Sequence, residues 1–219
     1  MITGAIFDAD GTLLDSMSVW DTIGEDYLRS IGYTPRENLS KTFQTMSLLQ
    51  AARYYQSEYG VKLSAEEIIC GVNGLLERFY LNEALLKPGV EGFLRELSAH
   101  GVRLCVATAT ERPLVEAALV RSGLLGYFDG ILTCTDVGCG KDEPLIYRQA
   151  LELVGGNRPS VVVFEDALHA VRTAKADGFP VAAVYDGHEK RQDELKAMAD
   201  FYLTDFSDFD SFWNFASIL

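Results

Sequence analysis

Two aspartates stand close together near the amino end of the chain, in the segment Asp8-Ala9-Asp10-Gly11-Thr12. A carboxylate such as Asp8 can attack phosphorus as a nucleophile, and a second carboxylate such as Asp10 can give and take the proton that this chemistry moves. The glycine that follows Asp10 lets the main chain come close to a bound ligand. Taken alone, however, this string fits a plain turn or part of a calcium loop equally well.

Further polar residues follow apolar runs elsewhere in the chain. The polar residue Thr108, with Ala109 after it, follows the run 102–107, and the acidic pair Glu165 and Asp166 follows the run 161–164. Lys141 stands in a glycine-containing loop. In parallel α/β sheets the carboxyl ends of the strands meet at one edge, where ligands bind. The sequence therefore predicts that four carboxylates, two threonine hydroxyls and one ammonium converge on that edge.

This set of groups suits phosphoryl transfer. Carboxylates crowded together repel one another, and each is driven towards its neutral form unless a cation joins them. An all-oxygen set without histidine or cysteine favours Mg²⁺, which would also offset the repulsion between a carboxylate and a phosphate dianion. Lys141 and Thr108 would bind the remaining phosphate oxygens. We therefore expect Asp8 to form an aspartyl phosphate and Asp10 to act as acid and base.

Five short apolar runs predict the strands that must position these groups. Several are continuous rather than alternating, as in a parallel sheet covered on both faces. The runs are Ala5–Phe7, Val102–Ala107, Gly130–Leu132, Val161–Phe164 and Val181–Val184. Helical patterns that stop at glycine lie between them: Glu91–His100, Arg112–Ser122, Glu143–Val154 and Ala167–Asp177. This alternation predicts an α/β fold with a doubly wound parallel sheet.

Residues 15–87 break the alternation and predict a helical insertion. Three helical patterns occur there, over Val19–Ile31, Phe43–Tyr59 and Ile68–Tyr80. Ser64 and Glu67 have the spacing of a capping box at the start of the third. We therefore predict a core domain of residues 1–14 and 88–219 and an inserted helical-bundle domain of residues 15–87. The tail 205–219 is expected to pack as a terminal helix or turn.

The composition restricts the classes of function. Of the 219 residues 48% are hydrophobic and 23% charged, so the chain can build a real core. With 19 Lys and Arg against 32 Asp and Glu, the net charge of −13 disfavours binding to nucleic acid or to an anionic membrane. No apolar stretch approaches a membrane span, and the first residues lack a signal-peptide pattern. The four cysteines lack zinc-site spacing, so we expect reduced thiols in the cytoplasm. Because the core is large enough to be stable alone, we expect a monomer.

The motifs and their order resemble those of the haloacid dehalogenase superfamily. Asp8–Thr12 is similar to the first motif of that family, DxDGT, and Thr108 after its strand resembles the second. The segment 140–144, Gly-Lys-Asp-Glu-Pro, resembles the third motif, and Glu165 with Asp166 resembles the acidic fourth. The resemblance implies a Rossmann-like core and a helical cap domain, as in the phosphoglucomutase-like subgroup of phosphatases and mutases.

The resemblance also implies roles for individual residues. Asp8 would be the nucleophile and Asp10 the acid and base. The phosphate would be bound by Thr108, Ala109, Lys141 and Gly11. The Mg²⁺ would be held by Asp8, the main-chain carbonyl of Asp10, Asp166 and, as a further ligand, Glu165.

We therefore expect a Mg²⁺-dependent phosphatase acting on a small phosphorylated metabolite, with sugar phosphates among the options. The nearest alternative is a phosphomutase of the same fold, in which a second sugar hydroxyl attacks the aspartyl phosphate. Sugar-phosphate mutases carry a histidine where this chain has Trp20, which favours the hydrolase. The alternative from another class is a catalytically silent relative or a signalling phospho-acceptor module. In receiver domains, however, the acidic pair precedes the acceptor aspartate, the reverse of the order here.

Two further predictions concern single side chains. Thr110 is expected to cap the helix that begins near Glu111. In the helical insertion, four polar or aromatic residues are candidates to face the substrate: Trp20, Lys41, Gln44 and Arg53.

Overall fold

A computed structural model describes residues 1–37, 39–43, 46 and 48–219, without the side chains of Ser40 and Lys41. Packing divides the chain into two compact units, a core unit of Met1–Asp15 with Ala84–Leu219 and a helical unit of Ser16–Glu83. The division drawn from the sequence falls after residues 14 and 87, and it stays a prediction of the functional domains. None of the described helices has both the length and the apolar character that crossing a bilayer requires.

Parallel strands form the sheet of the core unit. In chain order, the strands within the described residues are β1 Gly4–Phe7, β2 Leu14–Asp15, β3 Leu85–Leu86, β4 Arg103–Thr108, β5 Gly130–Thr133, β6 Val161–Glu165, β7 Val181–Val184 and β8 Phe201–Leu203. Six of them pair in the order β5-β4-β1-β6-β7-β8, all in parallel. The two-residue strands β2 and β3 form a separate antiparallel ribbon where the chain leaves and re-enters the core unit.

The short strand β1 lies at the centre of the sheet. Phe7 pairs with Val106 of β4 on one side and with Phe164 of β6 on the other. All four β1 residues are buried. The residues that follow β1 therefore emerge between the carboxyl ends of β4 and β6, the edge at which ligands bind in such sheets.

Helices lie between most of the strands. In chain order they are α1 Met17–Ser30, α2 Leu39–Phe43, α3 Leu48–Tyr59, α4 Ala65–Asn82, α5 Val90–Ala99, α6 Arg112–Arg121, α7 Cys134–Val137, α8 Leu145–Val154, α9 Leu168–Ala176, α10 Gln192–Met198 and α11 Phe209–Ala216. Single 3₁₀ turns occur at Leu125–Tyr127 and Arg158–Ser160.

Both faces of the sheet are buried. Neighbouring residues of β1 point to opposite faces, so Ile6 and Phe7 show what packs on each. Ile6 packs in a buried cluster with Ile146 of α8 and Val171 of α9. Phe7 stacks on Phe164 of β6 with ring centroids 4.2 Å apart. On this second face, Phe212 of α11 lies 5.2 Å from the Phe164 ring. The predicted doubly wound α/β fold is confirmed.

The helical unit contains α1 to α4. The capping box at the start of α4 is confirmed, since Ser64 Oγ accepts from the amide of Glu67 at 3.2 Å and the Glu67 carboxylate accepts from the amide of Ser64 at 2.7 Å. The second helical pattern, predicted from Phe43 to Tyr59, corresponds to α3 from Leu48 onwards, and its first residue is the last residue of α2. Of the candidate substrate-facing residues, Trp20 on α1 and Arg53 on α3 are exposed. Gln44 and the side chain of Lys41 lie outside the described residues.

All five predicted strands are present, with ends that differ by at most one residue from the predicted ones. The sequence missed the edge strand β8 and the short helices α7 and α10. The tail forms the helix α11, one of the two expected forms.

Candidate active site

The chain after β1 makes a tight turn. The amides of Leu13 and Leu14 both donate to the carbonyl of Ala9 at 2.8 Å, and the amide of Gly11 donates to the carbonyl of Leu14 at 2.9 Å. Gly11 has a φ of +76°, and a Cβ added there would lie 2.3 Å from Oδ2 of Asp166. Glycine is needed here both for the left-handed backbone and for this close approach. The turn thereby holds the main chain of Gly11 against the acidic pair that ends β6.

Lys141 joins the residue after β1 to the end of β6. It lies in the loop before α8, and its Nζ is 2.5 Å from Oδ1 of Asp8 and 2.6 Å from Oε1 of Glu165. Lys141 is only 7% exposed, so solvent ions screen these contacts weakly. The structure thus brings together Asp8, Lys141 and Glu165, which were selected from three distant motifs.

Asp8, Glu165 and Asp166 form an acidic cluster. One carboxylate oxygen of each residue lies within 4.8 Å of those of the other two. The Thr12 hydroxyl donates to Oδ1 of Asp166 at 3.1 Å and so fixes one side of the cluster. Oε2 of Glu165 is buried and, within the described part of the chain, has no hydrogen-bond partner. A buried carboxylate oxygen in that position costs free energy unless a donor or a cation reaches it.

The site holds more negative than positive charge. Four carboxyl groups, those of Asp8, Asp10, Glu165 and Asp166, are buried there with the single ammonium of Lys141. Burial raises the pKa of Asp8 to about 7, and the opposing effect of Lys141 does not cancel this. Burial, and then the charges of Asp8 and Glu165, raise the pKa of Asp166 well above its usual range. Burial alone would lower the pKa of the Lys141 ammonium, but Asp8 and Glu165 outweigh it and raise that pKa.

The acidic cluster fits a divalent cation of the Mg²⁺ type. Its donors are carboxylate oxygens, which hard cations prefer. The unpartnered Oε2 of Glu165, in the part of the chain that is described, supplies a buried lone pair. An added positive charge would also oppose the two effects, burial and then the neighbouring carboxylates, that raise the pKa of Asp8 and Asp166. Asp8, Glu165 and Asp166 are therefore the residues that could hold the ion.

The second motif supplies two buried threonines at the end of β4. Oγ1 of Thr108 accepts the amide of Thr110 at 3.1 Å, which leaves the Thr108 proton to be donated to a ligand. The Thr110 hydroxyl donates to Oδ2 of Asp10. The prediction that Thr110 caps a helix is therefore wrong: the N-cap of α6 is Glu111, which makes no side-chain capping bond. Ala109 is exposed between the two threonines, and its part in phosphate binding stays a prediction.

Tyr147 of α8 is a site contact that the sequence did not reveal. Its hydroxyl donates to Oε1 of Glu165 at 2.8 Å, the same oxygen that Lys141 contacts. Burial, followed by the charge of Glu165, raises the pKa of Tyr147, so the phenol stays a donor. In the sequence it belongs to the apolar pattern of its helix, which predicts a core residue. Its hydroxyl was the one available signal.

A second buried ion pair lies in the core unit, between Lys87 and Asp186. Lys87 Nζ is 2.8 Å from Oδ2 of Asp186 and 2.6 Å from the carbonyl of Tyr185. Oδ1 of Asp186 accepts the amide of His188 at 2.9 Å. Burial alone would raise the pKa of Asp186, but the bonds from Lys87 and His188 lower it. The pair ties the residue after β3 to the loop after β7.

Several known proteins are similar to this chain over most of its length. The phosphorylated carbohydrates phosphatase of Thermotoga maritima is 28% identical over 173 residues, which cover 79% of this chain and 80% of that one. The (DL)-glycerol-3-phosphatase 1 of Arabidopsis thaliana is 30% identical over 193 residues, which cover 84% and 64%. A solved structure from Thermotoga maritima, assigned as a beta-phosphoglucomutase, superposes with a TM-score of 0.85 at 25% identity and covers 98% of this chain and 99% of its own.

The parallel sheet carries an acidic site at the carboxyl ends of its strands, as α/β enzymes do. A family model of haloacid dehalogenase-like hydrolases matches residues 2–202. The chain belongs to this family, and the resemblance drawn from its motifs is confirmed.

Proposed function

We propose that this protein is a Mg²⁺-dependent phosphatase that hydrolyses a small phosphate monoester through an aspartyl phosphate on Asp8. The observation that carries the proposal is the 2.5 Å contact between Lys141 Nζ and Asp8 Oδ1 beside the acidic cluster. A lone buried carboxylate would repel a phosphate dianion, whereas this one has an ammonium and a potential cation site beside it. Relatives named as phosphatases support the reaction class.

Binding of the phosphate group falls to residues with positive charge or free protons. The ammonium of Lys141 and the hydroxyl of Thr108 donate to non-bridging phosphate oxygens. The amides of the turn at Gly11 add further donors, since glycine allows a close approach. Mg²⁺ held by Asp8, Glu165 and Asp166 supplies charge neutralisation when it is bound.

The reaction then proceeds in two displacements. An oxygen of Asp8 bonds to phosphorus as the bond to the leaving oxygen breaks, and Asp10 gives that oxygen its proton. Water next attacks the phosphorus of the aspartyl phosphate and gives a proton to Asp10, and the bond to Asp8 breaks. One water is consumed, and one alcohol and one inorganic phosphate are released.

The helical unit is proposed to be the cap domain that gives substrate specificity. The substrate is a small phosphorylated metabolite, for which sugar phosphates are favoured by the relative named for phosphorylated carbohydrates. The cytoplasmic location, the monomeric state and the absence of nucleic-acid and membrane partners stay predictions from the sequence.

Release of p-nitrophenol from p-nitrophenyl phosphate tests the proposal. The wild-type chain is expected to turn over with Mg²⁺ and to stop with EDTA. Asp8→Asn should reduce the rate at least about a thousandfold, as the loss of a nucleophile does elsewhere. Asp210→Asn, the same change at an exposed position on α11, is the matched control. Undiminished turnover by Asp8→Asn would remove Asp8 as the nucleophile.

A phosphomutase is the second candidate, because the structure assigned as a beta-phosphoglucomutase covers nearly the whole chain. The two activities differ only in what attacks the aspartyl phosphate. With β-glucose 1-phosphate and a bisphosphate primer, a phosphatase releases inorganic phosphate, whereas a mutase accumulates glucose 6-phosphate. The second product would overturn the hydrolase proposal.

A further inference from the structure

We infer that Thr110 is a positioning residue whose hydroxyl orients the carboxyl group of Asp10 for proton transfer to the leaving oxygen. The inference rests on the proposed function, because it takes the acid and base role of Asp10 from that mechanism. It assigns to Thr110 a task other than helix capping or direct chemistry.

The contact between the two residues is fixed from the Thr110 side. Thr110 is 8% exposed, and its hydroxyl donates to Oδ2 of Asp10. Its own amide donates to Oγ1 of Thr108, the last residue of β4, at 3.1 Å. Because β4 pairs directly with β1, the hydroxyl is held by a strand next to the one that leads to Asp10. The two residues are 100 positions apart in the chain, so the bond is a tertiary one.

Asp10 needs such a contact because its main chain alone does not set its carboxyl plane. The turn from Ala9 to Leu14 fixes the backbone through three amide–carbonyl bonds. The terminal torsion of an aspartate is intrinsically broad, so contacts to the side chain must set the plane of its carboxyl group. A general acid must keep its proton within hydrogen-bond reach of the leaving oxygen, and small displacements cost rate. A donor at Oδ2 reduces this freedom.

The bond also suits both protonation states of Asp10. An aspartate oxygen that accepts a hydrogen bond can do so whether the carboxyl group is ionised or carries its proton on the other oxygen. The Thr110 contact can therefore persist while the proton leaves for the alcohol and returns from water.

Substrates that differ in their need for an acid provide the test. Three aryl phosphates of similar shape, p-nitrophenyl, phenyl and p-methoxyphenyl phosphate, have progressively poorer leaving groups. We expect Thr110→Val, which removes the hydroxyl and keeps the shape, to reduce kcat/KM about tenfold or more for p-methoxyphenyl phosphate and by less than about threefold for p-nitrophenyl phosphate. Thr110→Ser keeps the hydroxyl and should restore the wild-type dependence on leaving group. Asp10→Asn should show the same pattern more strongly.

Other outcomes overturn the inference. An equal fall for all three esters, or a rise in KM with kcat unchanged, would mean that Thr110 binds phosphate or serves only the fold. A Thr110→Ser variant that behaves like Thr110→Val would show that the hydroxyl is not the group that orients Asp10. In the double variant with Asp10→Asn, Thr110→Val should add little, because the two residues act as one unit. If the losses of kcat/KM caused by the two substitutions were fully additive, the inference would be contradicted and the phosphatase proposal would remain intact.

A crystal structure of Thr110→Val gives a readout that does not depend on turnover. We expect the Asp10 carboxyl group to adopt more than one orientation, or a new one, while Asp8 and Lys141 stay in place. An unchanged single orientation of Asp10 would contradict the inference. If the wild-type chain hydrolyses none of the esters with Mg²⁺, the proposed function fails, and the acid role of Asp10 fails with it.

Discussion

Nζ of Lys141 lies 2.5 Å from Oδ1 of Asp8, and the two side chains are only 6% and 11% exposed. A buried pair of this kind differs from a surface salt bridge, because neither charge can return to water when the other is removed. Lys141 also serves Glu165, so one ammonium balances two carboxylates. The stability of the core unit and the chemistry of its site therefore depend on the same atom.

Replacing this lysine should cost stability. We expect Lys141→Met to lower the free energy of unfolding by about 3–5 kcal/mol at pH 8 without metal, because two buried carboxylates lose their counter-charge. Lys175→Met is the control, since its contact with Asp200 is 2.6 Å long but about one-third exposed. That change should cost no more than about 1 kcal/mol. Urea unfolding measures both free energies. Equal losses would show that the buried contact between Lys141 and Asp8 contributes no more than an exposed ion pair.

Stability of the metal-free protein should fall as the pH rises. The pKa of Asp8 is raised from 3.8 to about 7 in the folded chain, so the folded state binds more protons than the unfolded state between these values. Stability is then greatest near the lower limit and is lost as the pH rises towards about 7. Asp166, whose pKa is also raised, acts in the same direction.

Denaturant unfolding at about pH 5 and pH 8, in EDTA and in Mg²⁺, measures this effect. In EDTA the free energy of unfolding should be lower at the higher pH by a few kcal/mol. Mg²⁺ should restore most of it, because a bound cation favours the ionised carboxylates. Asp8→Asn should flatten the pH dependence. A protein more stable at the higher pH in EDTA would mean that Asp8 is ionised in the metal-free fold.

Tyr147→Phe should weaken metal binding. The phenol donates to Oε1 of Glu165 at 2.8 Å. Hydrogen bonds of this kind, from a neighbouring side chain, orient carboxylates that bind a metal. We expect a Mg²⁺ affinity roughly tenfold or more lower and a stability loss of about 1–2 kcal/mol. Tyr202→Phe, which removes a 3.0 Å bond to Gln192, controls for the loss of a phenol. Titration of activity with Mg²⁺ compares the two, and equal curves would limit Tyr147 to a packing role.

Comparing Gly11→Ala with Gly123→Ala separates the cost of a left-handed backbone from the displacement of Asp166 by the new Cβ. The new Cβ would lie 2.3 Å from Oδ2 of Asp166, and the residue has a φ of +76°. Gly123 has a similar φ of +73°, but nothing lies within 4 Å of its added Cβ. Both substitutions should cost about 1–2 kcal/mol of stability through the left-handed backbone. Only Gly11→Ala should also move Asp166 and abolish Mg²⁺-dependent turnover, whereas equal activity of the two variants would exclude that displacement.

Apolar runs predicted the strands well because burial on both faces leaves a direct trace in the sequence. The run Val161–Phe164 needs no tertiary information to be seen as a strand. The sequence did not predict β8, because Phe201–Leu203 is a three-residue edge strand whose first two residues are half-buried. Such a segment shows neither a continuous apolar run nor a clear alternation. The ribbon of β2 and β3 has two residues in each strand, too few to show any period.

The motifs identified the charged residues of the candidate site, but not all of the neutral residues that hydrogen-bond to them. Asp8, Lys141 and Glu165 stand at strand ends or in loops, where a polar residue is conspicuous. Thr110 and Tyr147 have ordinary local explanations, a helix cap and a core aromatic. Their actual partners are 100 and 18 residues away in the chain, so only the folded structure reveals them.

The central place of β1 has a consequence for the order in which the chain can fold during synthesis. Phe7 pairs with Val106 on one side and with Phe164 on the other. The first strand therefore cannot complete its pairing until most of the polypeptide has left the ribosome. Pairings of such large sequence separation are slow to form. The helical unit, by contrast, is one unbroken stretch of chain that is complete at Glu83, before any partner of β1 has been made. Asp8, the proposed nucleophile next to the first strand, therefore reaches its final surroundings late, although it is among the first residues translated.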